Sequence, residues 1–233
     1  MLLPGVVASQ AAAAAAVLTE VSSAKTLRDA VADPWNETVN IQAGSNRVLL
    51  VLIGTESNDL ASVVLDPDGD NIALTALTGS PQAFGTETFY GYRLLEADFP
   101  GTTGNKTLRV EFATVAGGAV RVILLANASQ TLFSAGANHD DNVALTITAT
   151  HPTDTFDAGS FVYSGCYTEG HGVNYTITGD VTEVDEDALV TITDTWLFAK
   201  GTLAGAQATA SATYTRDVGT VRKQGMTVVV EPV

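Results

Sequence analysis

At 233 residues and 24.1 kDa the chain has the length of one large β domain or two small ones, and no Pro- or Ser-rich linker divides it. Its 26 acidic against 11 basic residues give a formal charge of -15, which repels phosphate backbones and anionic bilayers and so argues against nucleic acid and membranes as partners. Cys166 is the single cysteine, which excludes an intrachain disulfide framework and a cysteine-rich zinc site.

The chain opens on MLLPGVVASQAAAAAAVLTEV. The first basic residue is Lys25, so the positive region of a secretion signal is missing, and the alanine run is too short and too weakly apolar for a membrane span. Alanine favours helix, and from about Ser9 to Ala30 there is no proline or glycine, so residues 1–36 are expected to form a helix or an extended arm outside the main domain. Such an arm is ordered only when it packs on something, and a neighbouring subunit is the expected surface.

From Glu37 onward the residues are those of β-sheet: Thr, Val, Ile and aromatics in short runs bounded by Gly, Asn, Asp and Pro. RVLLVLIG, SVVLD, NIALTAL, TFYGYRLL, KTLRVEFAT and AVRVILLA are followed by VALTITAT, GSFVYSG, VNYTITGDV, LVTITDTWLFA, ATASATYT and GMTVVVEP. In KTLRVEFAT, Leu108, Val110 and Phe112 alternate with Arg109 and Glu111, which predicts a sheet with one wet face. RVLLVLIG is apolar on both faces and predicts a central strand covered on both sides, or one whose outer face meets the N-terminal segment or another chain. With no crossover helices between the strands, residues 37–233 are expected to form one all-β domain, an antiparallel two-sheet β-sandwich of jelly-roll-like type. No internal repeat strong enough for a propeller or solenoid is evident.

The candidate sites lie between these strands. VVLDPDGDNIAL places Asp66, Asp68 and Asp70 on a short segment with Gly69, the beginning of a calcium loop. An EF-hand loop needs Gly at its sixth position and an acid at its twelfth, where this chain has Asn71 and Leu77, and Asp-Gly between strands is a hairpin signal. A turn is therefore favoured, with no metal or cofactor expected. NHDDN (His139, Asp140, Asp141) and EVDED (Glu183 to Asp187) are read as solvated loops between strands. Cys166 reads as a small buried residue; as a nucleophile it needs a base from His139, His151 or His171, and CYTEGHG matches no thiol-enzyme signature. No Gly-x-Ser-x-Gly elbow, phosphate-binding glycine loop or privileged carboxylate pair is present, so no enzyme is expected. The sequons at Asn36, Asn105, Asn127 and Asn174 matter only in a eukaryotic secretory pathway. Trp196 is expected in the core, and Trp35, after Pro34, is the candidate for an exposed sugar platform.

SNRVLLVLIG at residues 45–54, the hairpin ending in IALTAL, FYGYRLLEADFPGT at 89–102, KTLRVEFAT and AVRVILLANASQ follow a recurring order. Over residues 38–130 this resembles a loosely defined group of β-sandwich proteins found in tailed-phage structural gene clusters and among bacterial proteins of unknown function. The resemblance implies a virion component without catalytic residues: a capsid decoration or cement protein, or a head or tail appendage. Its implied partners are the major capsid or tail protein and further copies of itself, at the particle surface. DPDGDN stands where a Tyr-Gly-Gly type turn is usual in the group. The alternative reading is a carbohydrate- or receptor-binding module taking a host glycan, with or without calcium at Asp66, Asp68 and Asp70.

Overall fold

The computed structural model describes residues 16–31, 34–56, 59–84, 87–114, 116–131, 135–140, 145–151, 155–169, 175–181, 183–188, 194–217, 219 and 223–233. Among these residues the chain is all-β and every strand pairing is antiparallel, with one short 3-10 turn, Glu96–Asp98. The first half runs β1 (Thr19–Val31), β2 (Trp35–Ile41), β3 (Val48–Thr55), β4 (Leu60–Leu65), the short β5 (Ile72–Ala73), β6 (Thr75–Ala76) and β7 (Gln82–Phe84), then β8 (Glu87–Leu95), β9 (Gly104–Phe112) and β10 (Ala116–Ala126). The second half runs β11 (Ala135–Asp140), β12 (Thr146–Thr150), β13 (Phe161–Glu169), β14 (Tyr175–Gly179), β15 (Glu183–Ala188), β16 (Asp194–Thr202), β17 (Ser211–Arg216) and β18 (Lys223–Val230).

The sheet orders show that the same architecture occurs twice. The first half has an inner sheet β1-β10-β3-β8-β6, with β7 also on β8, and an outer sheet β2-β9-β4-β5. In the second half the inner sheet is β11-β18-β13-β16-β15 and the outer sheet β12-β17-β14. Exchanging β1 for β11, β2 for β12, β3 for β13, β4 for β14, β8 for β16, β9 for β17 and β10 for β18 converts one wiring into the other.

Three apolar layers join the four sheets. Trp35, Val39, Leu108 and Val110 of the first outer sheet pack on Leu49, Val51 and Ile53 of β3. Leu50, Leu52, Phe89 and Ile123 of the first inner sheet meet Tyr163, Tyr167, Trp196, Phe198 and Met226 of the second, which makes a central seam. Val162, Cys166, Leu197 and Val229 pack on Ile147, Ala212 and Tyr214 of the second outer sheet. Alternate residues of β3 therefore enter two different cores, and all of Val48–Thr55 is buried. The apolar run RVLLVLIG is a strand covered on both faces by the chain itself. β9 alternates as its sequence predicts, with Leu108, Val110 and Phe112 buried and Arg109 and Glu111 half-buried on the outer face.

At the seam, rings from one half press on glycines of the other. A Cβ at Gly54 would lie 2.3 Å from the Trp196 ring, and one at Gly165 would lie 2.6 Å from Phe89. Gly54 is on β3 and Trp196 on β16, while Gly165 is on β13 and Phe89 on β8, so the contact is reciprocal at the level of strands. Phe89 and Trp196 meet edge to face at 5.5 Å, a favoured aromatic geometry. The seam is apolar in the middle and polar at its ends. Tyr163 donates to Glu20 at 2.7 Å, Lys200 lies 3.4 Å from the same carboxylate, and Tyr167 donates to Glu87.

Three expectations are corrected. The two sheets expected over residues 37–233 are four, an inner and an outer sheet in each half, with β1 added from the N-terminal stretch. The stretch read as a helix or arm is, over Thr19–Val31, a strand registered on β10 from Thr19↔Ala126 to Val31↔Ala116, while residues 1–15 lie outside the described residues. Helix propensity belongs to the alanines; from Thr19 on, pairing the exposed edge of β10 outweighs it. EVDED is likewise a strand, β15 itself, with Glu183 opposite Lys200 and Asp187 opposite Trp196. Acidic residues on an edge strand discourage further strand addition, a role that a composition-based loop reading overlooks.

Candidate functional site

The acidic loop is a hairpin turn between β4 and β5, where Leu65 pairs with Ile72. Asp66 and Asn71 take left-handed backbone angles, φ 54° and 51°, which Asp and Asn tolerate through local hydrogen bonds. The Asp66 carbonyl accepts from the amides of Gly69 and Asn71, and its carboxylate takes Lys106 Nζ at 2.7 Å. That hydrogen bond from Lys106 is the largest influence on Asp66 and holds its carboxyl below the ordinary range. A Cβ at Gly69 would sit 2.5 Å from Asp66 Oδ2, so a side chain there would push that carboxylate from its place. Asp68 and Asp70 are exposed. The structure thus places Asp66 in an ion pair with β9 and does not gather the three carboxylates around one point. Among the described residues no group of three or more His, Cys, Asp or Glu is placed to hold a metal.

The other sequence candidates also scatter. His139 and Asp140 are ladder positions of β11, opposite Gln224 and Lys223, in place of the expected loop; Asp141, His171 and Asn174 lie outside the described residues. Cys166 is buried in the second-half core, and His151 is buried edge-on against Phe156 at 4.9 Å. Trp35, expected near the surface, is 1% exposed and packs 4.5 Å from Phe112; Trp196 is fully buried. Neither indole offers a sugar platform.

SNR and LEADFPG meet at one end of β3 and β8. Arg47 forks onto Glu96, with Nη2 to Oε1 at 2.7 Å and Nε to Oε2 at 3.0 Å, and its guanidinium lies 4.5 Å over Phe99. Gln130 closes the clasp by accepting from the Glu96 amide and donating to the Ala128 carbonyl. These residues hold a loop crossing together and leave no open site between them.

Two surfaces remain with the character of interaction sites. The first is the outward face of the second outer sheet. Register aligns Thr146, Thr215 and Thr176 in one row, Thr148, Thr213 and Thr178 in the next, and Thr150 beside Ser211. Ile147, Ala149, Ala212 and Tyr214 alternate with them and are buried, Ile147, Ala212 and Tyr214 in the second-half core. Hydroxyls of Thr146 and Thr215 lie 3.0 Å apart and those of Thr148 and Thr213 2.9 Å apart. Rows of this kind repeat at about 4.8 Å across strands and about 6.8 Å along them. Between their ends these rows are uncharged, and Asp180, whose carboxylate accepts from the Ser211 amide at 2.8 Å, and exposed Asp217 border them. Sequence reading passed over it, although TITAT, YTIT and SATYT show threonine at every second position. The second surface is an open, largely apolar groove of about 450 Å³ at one end of the seam, lined by residues 16–18, 157–159 and 232–233.

The chain is thus all-β, with the same wiring used twice. Comparisons with known protein families, with curated proteins and with solved structures find no match to this chain.

Proposed function

We propose that the chain is a non-enzymatic structural component of a tailed-phage virion, built from two jelly rolls and packed at the particle surface as a capsid decoration or a head or tail appendage. The strand orders support the jelly-roll reading: with the short β5, β6 and β7 counted as one strand, each half numbered from its own start places 1-8-3-6 against 2-7-4, the arrangement in which two Greek keys wrap one sandwich. Jelly rolls build capsid and lectin domains, so the fold alone does not choose a role.

The observation that carries the reading is the threonine face. A strongly acidic protein repels its neighbours over most of its surface, and the central threonine rows, flanked by Asp180 and Asp217, are a flat area of hydroxyls and methyls where another protein can approach with few carboxylates apposed. The sequence resemblance over residues 38–130 adds the phage context. Loss of both tryptophans to the cores removes the aromatic basis of the glycan-binding alternative.

Quantitative mass spectrometry of gradient-purified particles from a phage encoding the chain tests this. Peptides at a fixed ratio to the major capsid or tail protein are expected. Peptides confined to the soluble lysate would contradict it.

A further inference from the structure

We propose that the threonine face of the second outer sheet is the seat of a partner protein of a different sequence, whose surface is neutral at its centre and carries lysine or arginine at its rim. Area is the first constraint. The paired stretches of β12, β17 and β14 are five residues long and cover about 14 by 17 Å, roughly 240 Å². A standard-size contact covers about 800 Å² on each partner, so a protein seated on the rows spreads past their ends. The described charges at those ends are acidic. Asp180 follows β14 and clasps β17, its amide donating to the Ser211 carbonyl and its carboxylate accepting from the Ser211 amide, both at 2.8 Å. Asp217, exposed, follows β17 at the opposite end, about 20 Å along the strand from Ser211. Arg216 is the one charged residue within the three strands, and it is buried on the inward side with Ala212 and Tyr214. Leu145, 42% exposed at the Asp217 end with its carbonyl accepting from the Arg216 amide, adds an apolar contact.

Charge then selects the occupant. Two copies stacked with these strands aligned lay the Asp180 end of one on the Asp180 end or the Asp217 end of the other, within a pair of chains of net charge -15 each. A rim of lysine or arginine turns the same two carboxylates into attractions, and the threonine hydroxyls and methyls between them suit an uncharged centre. Contacts of this kind set the partner and its register more than they set raw affinity. The inference rests on the virion reading and deepens it by stating the chemistry of the protein on which this chain sits.

The test adds the purified chain to particles grown without it and counts bound copies by quantitative mass spectrometry. The natural chain is expected to bind, and to bind less as salt rises from about 0.1 to about 1 M, where the screening length shrinks from about 10 to about 3 Å. Thr213→Lys, in the middle of the rows, and Asp217→Lys, at their rim, are each expected to lower binding about tenfold, with unchanged far-UV spectra. Asp68→Lys makes the same charge change at the exposed hairpin tip and is expected to bind as the natural chain does. Binding that either face variant keeps in full, or that Asp68→Lys loses equally, overturns the proposal. No binding by the natural chain overturns it too, whereas virion membership is read separately, from particles grown with the chain. Light scattering is expected to give the natural chain and Thr213→Lys the same mass; a mass that Thr213→Lys lowers makes the face a contact between copies and overturns the proposal. Should Asp217→Lys fail to fold, Thr213→Lys and the salt series decide.

Discussion

In the first half the edge strands β1 and β2 leave a slot of about 170 Å³ between the two sheets, bordered by Ser22, Ser23, Thr38 and Asn40. At the same place in the second half β11 lies so close to β12 that a Cβ at Gly136 would fall 2.1 Å from the Thr150 carbonyl oxygen. The outer faces differ as well: Asn36, Arg109, Glu111 and Asn105 mark the first, threonines the second. One wiring has thus been finished in two ways, with an open flank and Arg109 and Glu111 on the outer face in one half, and a closed flank and rows of threonine on the outer face in the other. What the halves share is fixed by strand order and the seam; what separates them lies where a partner can reach.

The largest expected effects are at the seam. Trp196→Ala removes a fully buried ring that fills the space over Gly54, and about 3–5 kcal/mol of stability should be lost, measured by chemical denaturation. Trp196→Phe should be far milder, because the indole Nε1 is buried with no hydrogen-bond partner among the described residues and its removal deletes an unpaired donor. Similar losses for both variants would break the account of this contact. Leu50→Ala and Leu49→Ala come next, each expected to cost about 2–5 kcal/mol. They separate the layers, since Leu50 enters the seam and Leu49 the first-half core. Leu50→Ala should raise hydrogen exchange in β13 and β16, and Leu49→Ala in β2 and β9.

The clasp at Arg47 is smaller. Glu96→Gln is expected to cost about 1–2 kcal/mol, given a charge-assisted fork that is a third exposed on the carboxylate side. Hydrogen bonding from Arg47 is the largest influence on Glu96 and lowers its pKa in the folded protein. Its contribution is therefore present above the unfolded carboxyl range and is lost as pH falls through the lowered folded value. Urea midpoints from pH 6 to pH 3 should fall more steeply for the natural chain than for Glu96→Gln; parallel profiles would rule the contribution out.

The smallest effects are expected at the surface. Thr213→Val should change stability by no more than about 0.5 kcal/mol, and Thr213→Lys should similarly leave the purified protein folded while weakening its incorporation into particles. Asp66→Asn, Asp68→Asn and Asp70→Asn together should leave assembly nearly unchanged, with calcium making no difference by light scattering.

Much of the fold was legible because burial writes itself into alternation. β9 shows it, and β3 announced two covered faces by being apolar throughout. The duplication was not legible because the halves share wiring without sharing residue types. β3 is Val, Leu and Ile, whereas its counterpart β13 buries Ser164 and Thr168 among aromatics, with Ser164 satisfied by the Met226 carbonyl at 2.8 Å. A local echo is Glu87-Thr88-Phe89 against Asp194-Thr195-Trp196 at the starts of β8 and β16, where Thr88 pairs Thr55 as Thr195 pairs Thr168. β1 was missed since its partner, β10, lies about a hundred residues away. Of the site, the acidic turn was legible from Asp-Gly. The threonine face was not, because only registration of three strands turns scattered alternation into rows.

Native-state hydrogen exchange across β3 and β13 tests the four-sheet stack most directly. Both strands lie at the centre of inner sheets with cores on each side, so their amides should be the slowest in the chain and should exchange at similar rates, with β12, β14 and β2 faster. Protection of β3 alone, with β13 exchanging as fast as β12 and β14, would contradict the seam and with it the reading of the chain as two like halves packed face to face.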